Sequence, residues 1–150
     1  MRSRIPVGAI LAAILIAACG NRPNVSVSIA GEPVLMVVAS SSEGTACSTS
    51  IGDAFPQSVP LTIVRAATPV ALHFEAGQGA TEIRGWIYDI AAPTTTGGPN
   101  EEFTVPGRSG EYVSRSIVPN RTYRVLTNVS WSFLVTHGEV SHIFEMRVQP

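Results

Sequence analysis

The side chains most able to do chemistry are few in this 150-residue chain: two cysteines, Cys19 and Cys47, and three histidines, His73, His137 and His142. A serine hydrolase needs Ser, His and an acid brought together. No Gly-x-Ser-x-Gly elbow is present, and the nearest glycine-flanked serine, in Gly107-Arg108-Ser109-Gly110, reads as a turn. Phosphate-binding glycine loops, dinucleotide-binding glycines and zinc-type cysteine pairs are missing from the sequence. His137 and His142, with Glu139 between them, are the closest thing to a metal grouping, and Met36 or Met146 could add a soft ligand for copper. In an extended strand, however, residues 137 and 139 share a face and 142 takes the other. Both methionines lie in apolar runs where core packing explains them. The acids are scattered singly apart from Glu101-Glu102, which gives no paired-carboxylate cleft. The expectation is a protein with no catalytic residues, no metal and no cofactor.

The more telling thiol is Cys19. Arg2 and Arg4 open the chain, and Ile5–Ala18 then carries no charge. A charged start, a short apolar core and small residues before a cut are the parts of a secretory signal peptide. The run of 14 residues, 5 to 18, is short for a bilayer span, which takes roughly 20. It ends in Leu15-Ile16-Ala17-Ala18-Cys19-Gly20, which resembles the lipobox of bacterial lipoproteins. That resemblance implies diacylglyceryl transfer to the Cys19 thiol, cleavage between Ala18 and Cys19, and a mature protein that begins at Cys19. Two or three acyl chains on one residue make release from a membrane negligible. Gly20, not an acid, follows Cys19, which favours the outer membrane where one exists.

The expected organisation is therefore a signal peptide over 1–18, the lipidated Cys19 with a short tether over 19–24, and one domain over 25–150. Without the leader the chain has 8 arginines against 11 acids and no lysine. That balance argues against nucleic acid as a partner. With Cys19 taken by lipid, Cys47 is unpaired. It has no basic neighbour in sequence to activate it, so a buried apolar role is expected.

From Val25 onward the apolar period is two. Val25–Ile29, Val34–Ala39, Leu61–Val64, Val70–Glu75, Glu82–Ile90, Glu111–Val118, Tyr123–Ser132 and Val140–Val148 read as strands, with Cys47–Ile51 and Phe103–Val105 as short candidates. Ser40–Thr45, Gly52–Pro60, Ala91–Asn100 and His137-Gly138-Glu139 read as loops or turns, with Ala91–Asn100 exposed and mobile. No 3.6-residue apolar period is sustained past the leader. The expected fold is an all-β, antiparallel sandwich of about seven to nine strands.

Ile117, Pro119 and Tyr123 resemble the tyrosine corner of immunoglobulin-like domains, and Trp86 sits on the strand where such domains often bury a tryptophan. The ending Tyr123-x-Val125 … Trp131 … Phe144-x-Met146-x-Val148, taken with the lipobox, is similar to short bacterial lipoproteins that carry one immunoglobulin-like domain of unknown function. The resemblance implies no catalytic residue. It implies an extracytoplasmic, lipid-anchored domain that binds an envelope partner or supports structure. Ala91–Asn100 is the first loop expected to make contact. A copper- or small-molecule-binding lipoprotein using His137, His142 and a methionine is the alternative.

Overall fold

The computed structural model describes residues 23–45, 49–53, 58–134 and 136–150, with 43–45 and 49–53 described as backbone only. Ala18, Cys19 and Cys47 lie outside the described residues. Eleven strands are present among those described, in chain order: β1 Val25–Ile29, β2 Glu32–Pro33, β3 Val37–Thr45, β4 Thr49–Asp53, β5 Leu61–Arg65, β6 Val70–Ala76, β7 Ala80–Asp89, β8 Glu101–Pro106, β9 Ser109–Ser114, β10 Thr122–Phe133 and β11 Thr136–Gln149. They form two sheets, β2-β1-β6-β9 and β4-β3-β11-β10-β7-β8, with β5 added alongside β11. The protein is an all-β sandwich.

The alternation seen in sequence is what closes it. Val27, Ile29, Leu72 and Phe74 face inward from the smaller sheet, and Ile83, Ile87, Val125, Val129, Phe144, Met146 and Val148 meet them from the larger. Every pairing is antiparallel except that of β5 with β11, which is parallel. The long strand β11 has two partners on one edge: β3 from Thr136 to Ile143, then β5 from Glu145 to Gln149.

Two expected breaks are strands instead. Ser40–Thr45 continues β3, because the polar residues are held in register by β11 and β4. His137-Gly138-Glu139 belongs to β11, with Gly138 opposite Trp131, and the turn comes earlier, after Phe133. Conversely, the expected strand Glu111–Val118 ends at Ser114. The next residues turn away to bind the Glu101 carboxylate.

Trp86 does not enter the core. On β7 the inward side chains are Ile83 and Ile87, with Gly85 between them, while Trp86 lies half-buried on the outer face opposite Glu102 and Leu126. The space a tryptophan could fill is taken by Phe103 of β8. A Cβ on Gly85 would fall inside the Phe103 ring. That ring bridges the sheets, 5.2 Å from Phe74 and stacked 4.5 Å from Tyr112 between centroids.

The sandwich has two ends. At the lower end lie Pro23–Asn24, the Gly77–Gly79 turn, the Gly107–Arg108 turn and Leu134. At the upper end lie residues 66–69, 90–100 and 115–121.

Candidate functional site

The upper end holds the densest polar chemistry of the described residues. It is built from the ends of β7, β8 and β9 and the connection into β10. Asp89, the last residue of β7, is 5 % exposed. Its Oδ1 accepts the Ala91 and Ala92 amides at 2.9 and 3.1 Å, and its Oδ2 accepts Arg121 Nη1 at 2.7 Å. Burial pushes this carboxyl up, but the Arg121 guanidinium and the two amides outweigh it and hold it below the usual carboxylate range. Asn100 faces it from the other side of the loop. Its Oδ1 accepts the Asp89 amide at 2.7 Å, its Nδ2 donates to the Ala92 carbonyl at 3.4 Å, and its own amide donates to Ile87 at 2.8 Å.

The loop between β7 and β8 is therefore exposed, as expected, yet tied at both stems. Within it Gly97 donates to the Thr94 carbonyl at 2.9 Å, and the Thr94 hydroxyl donates to the Gly98 carbonyl at 2.7 Å. These bonds give its turn a defined shape.

Glu101 opens β8 and does not belong to that loop. Its carboxylate accepts the Tyr112 hydroxyl at 2.6 Å, the Ser114 and Ser116 hydroxyls at 2.5 and 2.7 Å, the Arg115 amide at 2.9 and 3.2 Å, and the Ser116 amide at 3.1 Å. Burial pushes the Glu101 carboxyl up, but the Ser114, Ser116 and Tyr112 hydroxyls and the Arg115 amide lower it to about 2. Burial and the bond to Glu101 push the Tyr112 phenol up to about 12. A general acid or base needs a pKa near the working pH and a free lone pair or proton. Glu101 has neither. It latches β8 of the larger sheet to β9 of the smaller and turns the chain toward β10.

Just beyond, Tyr123 makes the corner expected for it. Its hydroxyl donates to the Ser116 carbonyl at 3.1 Å and accepts the Val118 amide at 3.0 Å. The ring is 1 % exposed and Ile117 beside it 3 %. This is the tyrosine-corner geometry of immunoglobulin-like sandwiches.

The histidines do not converge. His73 is exposed on β6, between Ser28 and Glu111. His137 is exposed on the outer side of β11, while His142 is buried on the inner side, opposite Thr127. Met146 shares the inner face with His142, and Met36 is half-buried between β2 and β3. Among the described residues no three His, Cys, Asp or Glu side chains come together as a metal group. His142 Nδ1 and Thr127 Oγ1 are both buried without a hydrogen-bond partner, and burial pushes the His142 imidazole down. The Trp131 indole N–H is likewise buried and unpartnered.

The surface of the described residues includes two open depressions. One, of about 370 Å3, lies over Arg84, Trp86, Glu102 and Thr104; the other, of about 580 Å3, lies beside Asn24, Ser26, Glu75 and Gly77. The Asp89 anchor carried a local signal in sequence, an aspartate closing a strand two and three residues before the amides it binds. The Glu101 latch carried none, because its partners are 11 to 15 residues away. No family model matches this chain, and neither a curated protein nor a solved structure is significantly similar to it.

Proposed function

We propose that this protein is a lipid-anchored, extracytoplasmic β-sandwich that acts by binding or by structural support at the cell envelope, not by catalysis. The observation that carries the reading is Ile16-Ala17-Ala18-Cys19 at the end of an uncharged apolar run, with only four residues between Cys19 and Asn24. Five residues reach at most about 17 Å, so the domain sits against its membrane and not on a stalk. Pro23 lies at the lower end of the sandwich, and an anchor there points the upper end outward. The Asp89-anchored loop over 90–100 is then the surface offered to an envelope partner. Its threonines and glycines supply hydrogen-bonding edges on a fixed scaffold.

The experiment is detergent phase partitioning of the expressed protein beside Cys19→Ser, with mass spectrometry of the N-terminus. Wild type should enter the detergent phase and carry acyl mass, while Cys19→Ser stays aqueous. An unmodified N-terminus with both proteins aqueous refutes the anchor.

A further inference from the structure

We infer that the tip of the β10–β11 hairpin, with Leu134 at its apex, dips into the lipid surface beside the anchor and fixes the tilt of the domain; this rests on the lipid-anchored reading above. Leu134 is 70 % exposed, the most exposed of the large apolar side chains described. It stands at φ 54, a left-handed conformation that non-glycine residues rarely adopt. Phe133 pairs with Thr136, so Leu134 leaves the ladder at the end of the hairpin. Tight hairpin turns are dominated by Asn and Gly. Turn chemistry does not explain a leucine here, and neither does packing.

The position of this tip relative to the N-terminus is set by hydrogen bonds. The Ser132 amide donates to the Gly79 carbonyl at 2.9 Å, and the Gly77 amide donates to the Asn24 carbonyl at 2.7 Å. One three-residue turn thus holds both the base of the hairpin and the start of the described chain. Cys19 lies four residues before Pro23, a reach of at most about 14 Å. Lipid chains on Cys19 bring this end of the sandwich to the bilayer, and Leu134 with it.

The charges at this end fit a lipid surface. The segments Gly77–Ala80, Pro106–Ser109 and Ser132–His137 contain no acidic residue in sequence, and they carry Arg108 and His137. Arg108 is exposed, and its attraction to anionic headgroups adds to the apolar contact. Glu43 of β3 pairs with Gly138, opposite Trp131 and three residues from the apex; the other acids are set further back. Glu82 and Glu139 oppose Ser130, four residues from the apex, roughly 13 Å along a strand. Glu75 pairs with Ser26 and Ser109, behind the Gly77 turn. One leucine beside a half-buried phenylalanine could not hold a protein on a membrane unaided. With acyl chains already inserted, it needs only to choose the orientation.

The test uses the full acylated protein carrying Cys47→Ser, reconstituted in vesicles of phosphatidylethanolamine and phosphatidylglycerol. A nitrobenzoxadiazole label is placed at Leu134→Cys or, on the upper loop, at Thr95→Cys. The label at 134 should shift to the blue, resist iodide and be quenched by spin-labelled lipid, while the label at 95 stays aqueous. Acylated protein with both labels aqueous overturns this inference and leaves the anchor standing. Protein without acyl mass that stays off the vesicles overturns both.

Discussion

Glu101→Gln should strip the sandwich of a measurable part of its stability and of its acid sensitivity together. The carboxylate receives the amides of Arg115 and Ser116 on its two oxygens, at 2.9 Å on Oε1 and 3.1 Å on Oε2. A glutamine keeps one oxygen and turns the other into an NH2 group. With the NH2 in place of Oε2 the Ser116 amide loses its acceptor, and with it in place of Oε1 the Arg115 amide keeps only its 3.2 Å bond to Oε2 and faces the NH2 donor to donor. The Ser114, Ser116 and Tyr112 hydroxyls can rotate; the amides cannot. A backbone donor left unsatisfied costs about 1–3 kcal/mol, and hydrogen bonds to a charged group exceed neutral ones. The same magnitude follows from the protons. A carboxyl that titrates at 4.5 in the unfolded chain and at about 2 in the fold corresponds to about 3 kcal/mol at most. Glu101 is only partly buried, and solvent screening brings this to roughly 2 kcal/mol.

The sign fixes the pH window. The folded pKa lies below the unfolded one, so the stabilisation is present above pH 4.5 and is lost as pH falls toward about 2. Urea titrations at pH 7 and at steps down to pH 3 measure it. Wild type should exceed Glu101→Gln by roughly 2 kcal/mol at neutral pH, and the gap should close with acid. Subtracting the two curves removes the contribution of the remaining carboxylates. A variant within 0.5 kcal/mol of wild type at pH 7, or a gap that does not change with pH, refutes the latch.

Three further substitutions test the core. Tyr123→Phe removes the acceptor of the Val118 amide and the donor to Ser116, and should cost about 1–2 kcal/mol by denaturant titration; no change would remove the corner as a stabilising element. Gly85→Ala drives a methyl into the Phe103 ring, which must then leave Phe74 and Tyr112; a loss of about 1–3 kcal/mol is expected from overpacking, read with the near-ultraviolet dichroism of the aromatic cluster. His142→Leu removes a buried imidazole whose pKa is pushed down by burial. In wild type the unfolded chain binds the proton first as pH drops through 6.5, so stability falls below that pH. His142→Leu should lose that fall below pH 6.5, and an unchanged pH slope would contradict it.

What could be read from the sequence was whatever depends on neighbours two residues apart. Val25–Ile29, Val70–Glu75 and Tyr123–Ser132 alternate because one face of each meets the core, and each is a strand. Tyr123 was legible because its corner partners, Ser116 and Val118, lie within seven residues. Registers set by distant strands were hidden. Ser40–Thr45 has a loop composition but is held by β11 from about a hundred residues away. Trp86 is on the expected strand but on its outer face, because the ring that fills the core beside Gly85 comes from Phe103 on the next strand. The role of Glu101 was hidden, since its five donors arrive from the opposite sheet and its connection.

The upper end concentrates polar groups and spends them internally. Asp89 and Glu101 both sit below the usual carboxylate range with their oxygens occupied, so neither can exchange a proton near neutral pH. What they produce is a shape: the loop over 90–100, exposed at its tip and fixed at its stems. Asp89→Asn separates these roles. The retained oxygen can still accept Ala91 and Ala92, but the new NH2 then faces Arg121 Nη1, donor against donor. Arg121 is half exposed and can swing into water, so the stability cost should be about 1–2 kcal/mol. The loop stem should loosen, and hydrogen exchange at the Ala91 and Ala92 amides should quicken while the β10–β11 ladder keeps its protection. Unchanged exchange at those two amides would mean that the loop holds its shape without the carboxylate, and the stem would have to be assigned to Asn100 alone.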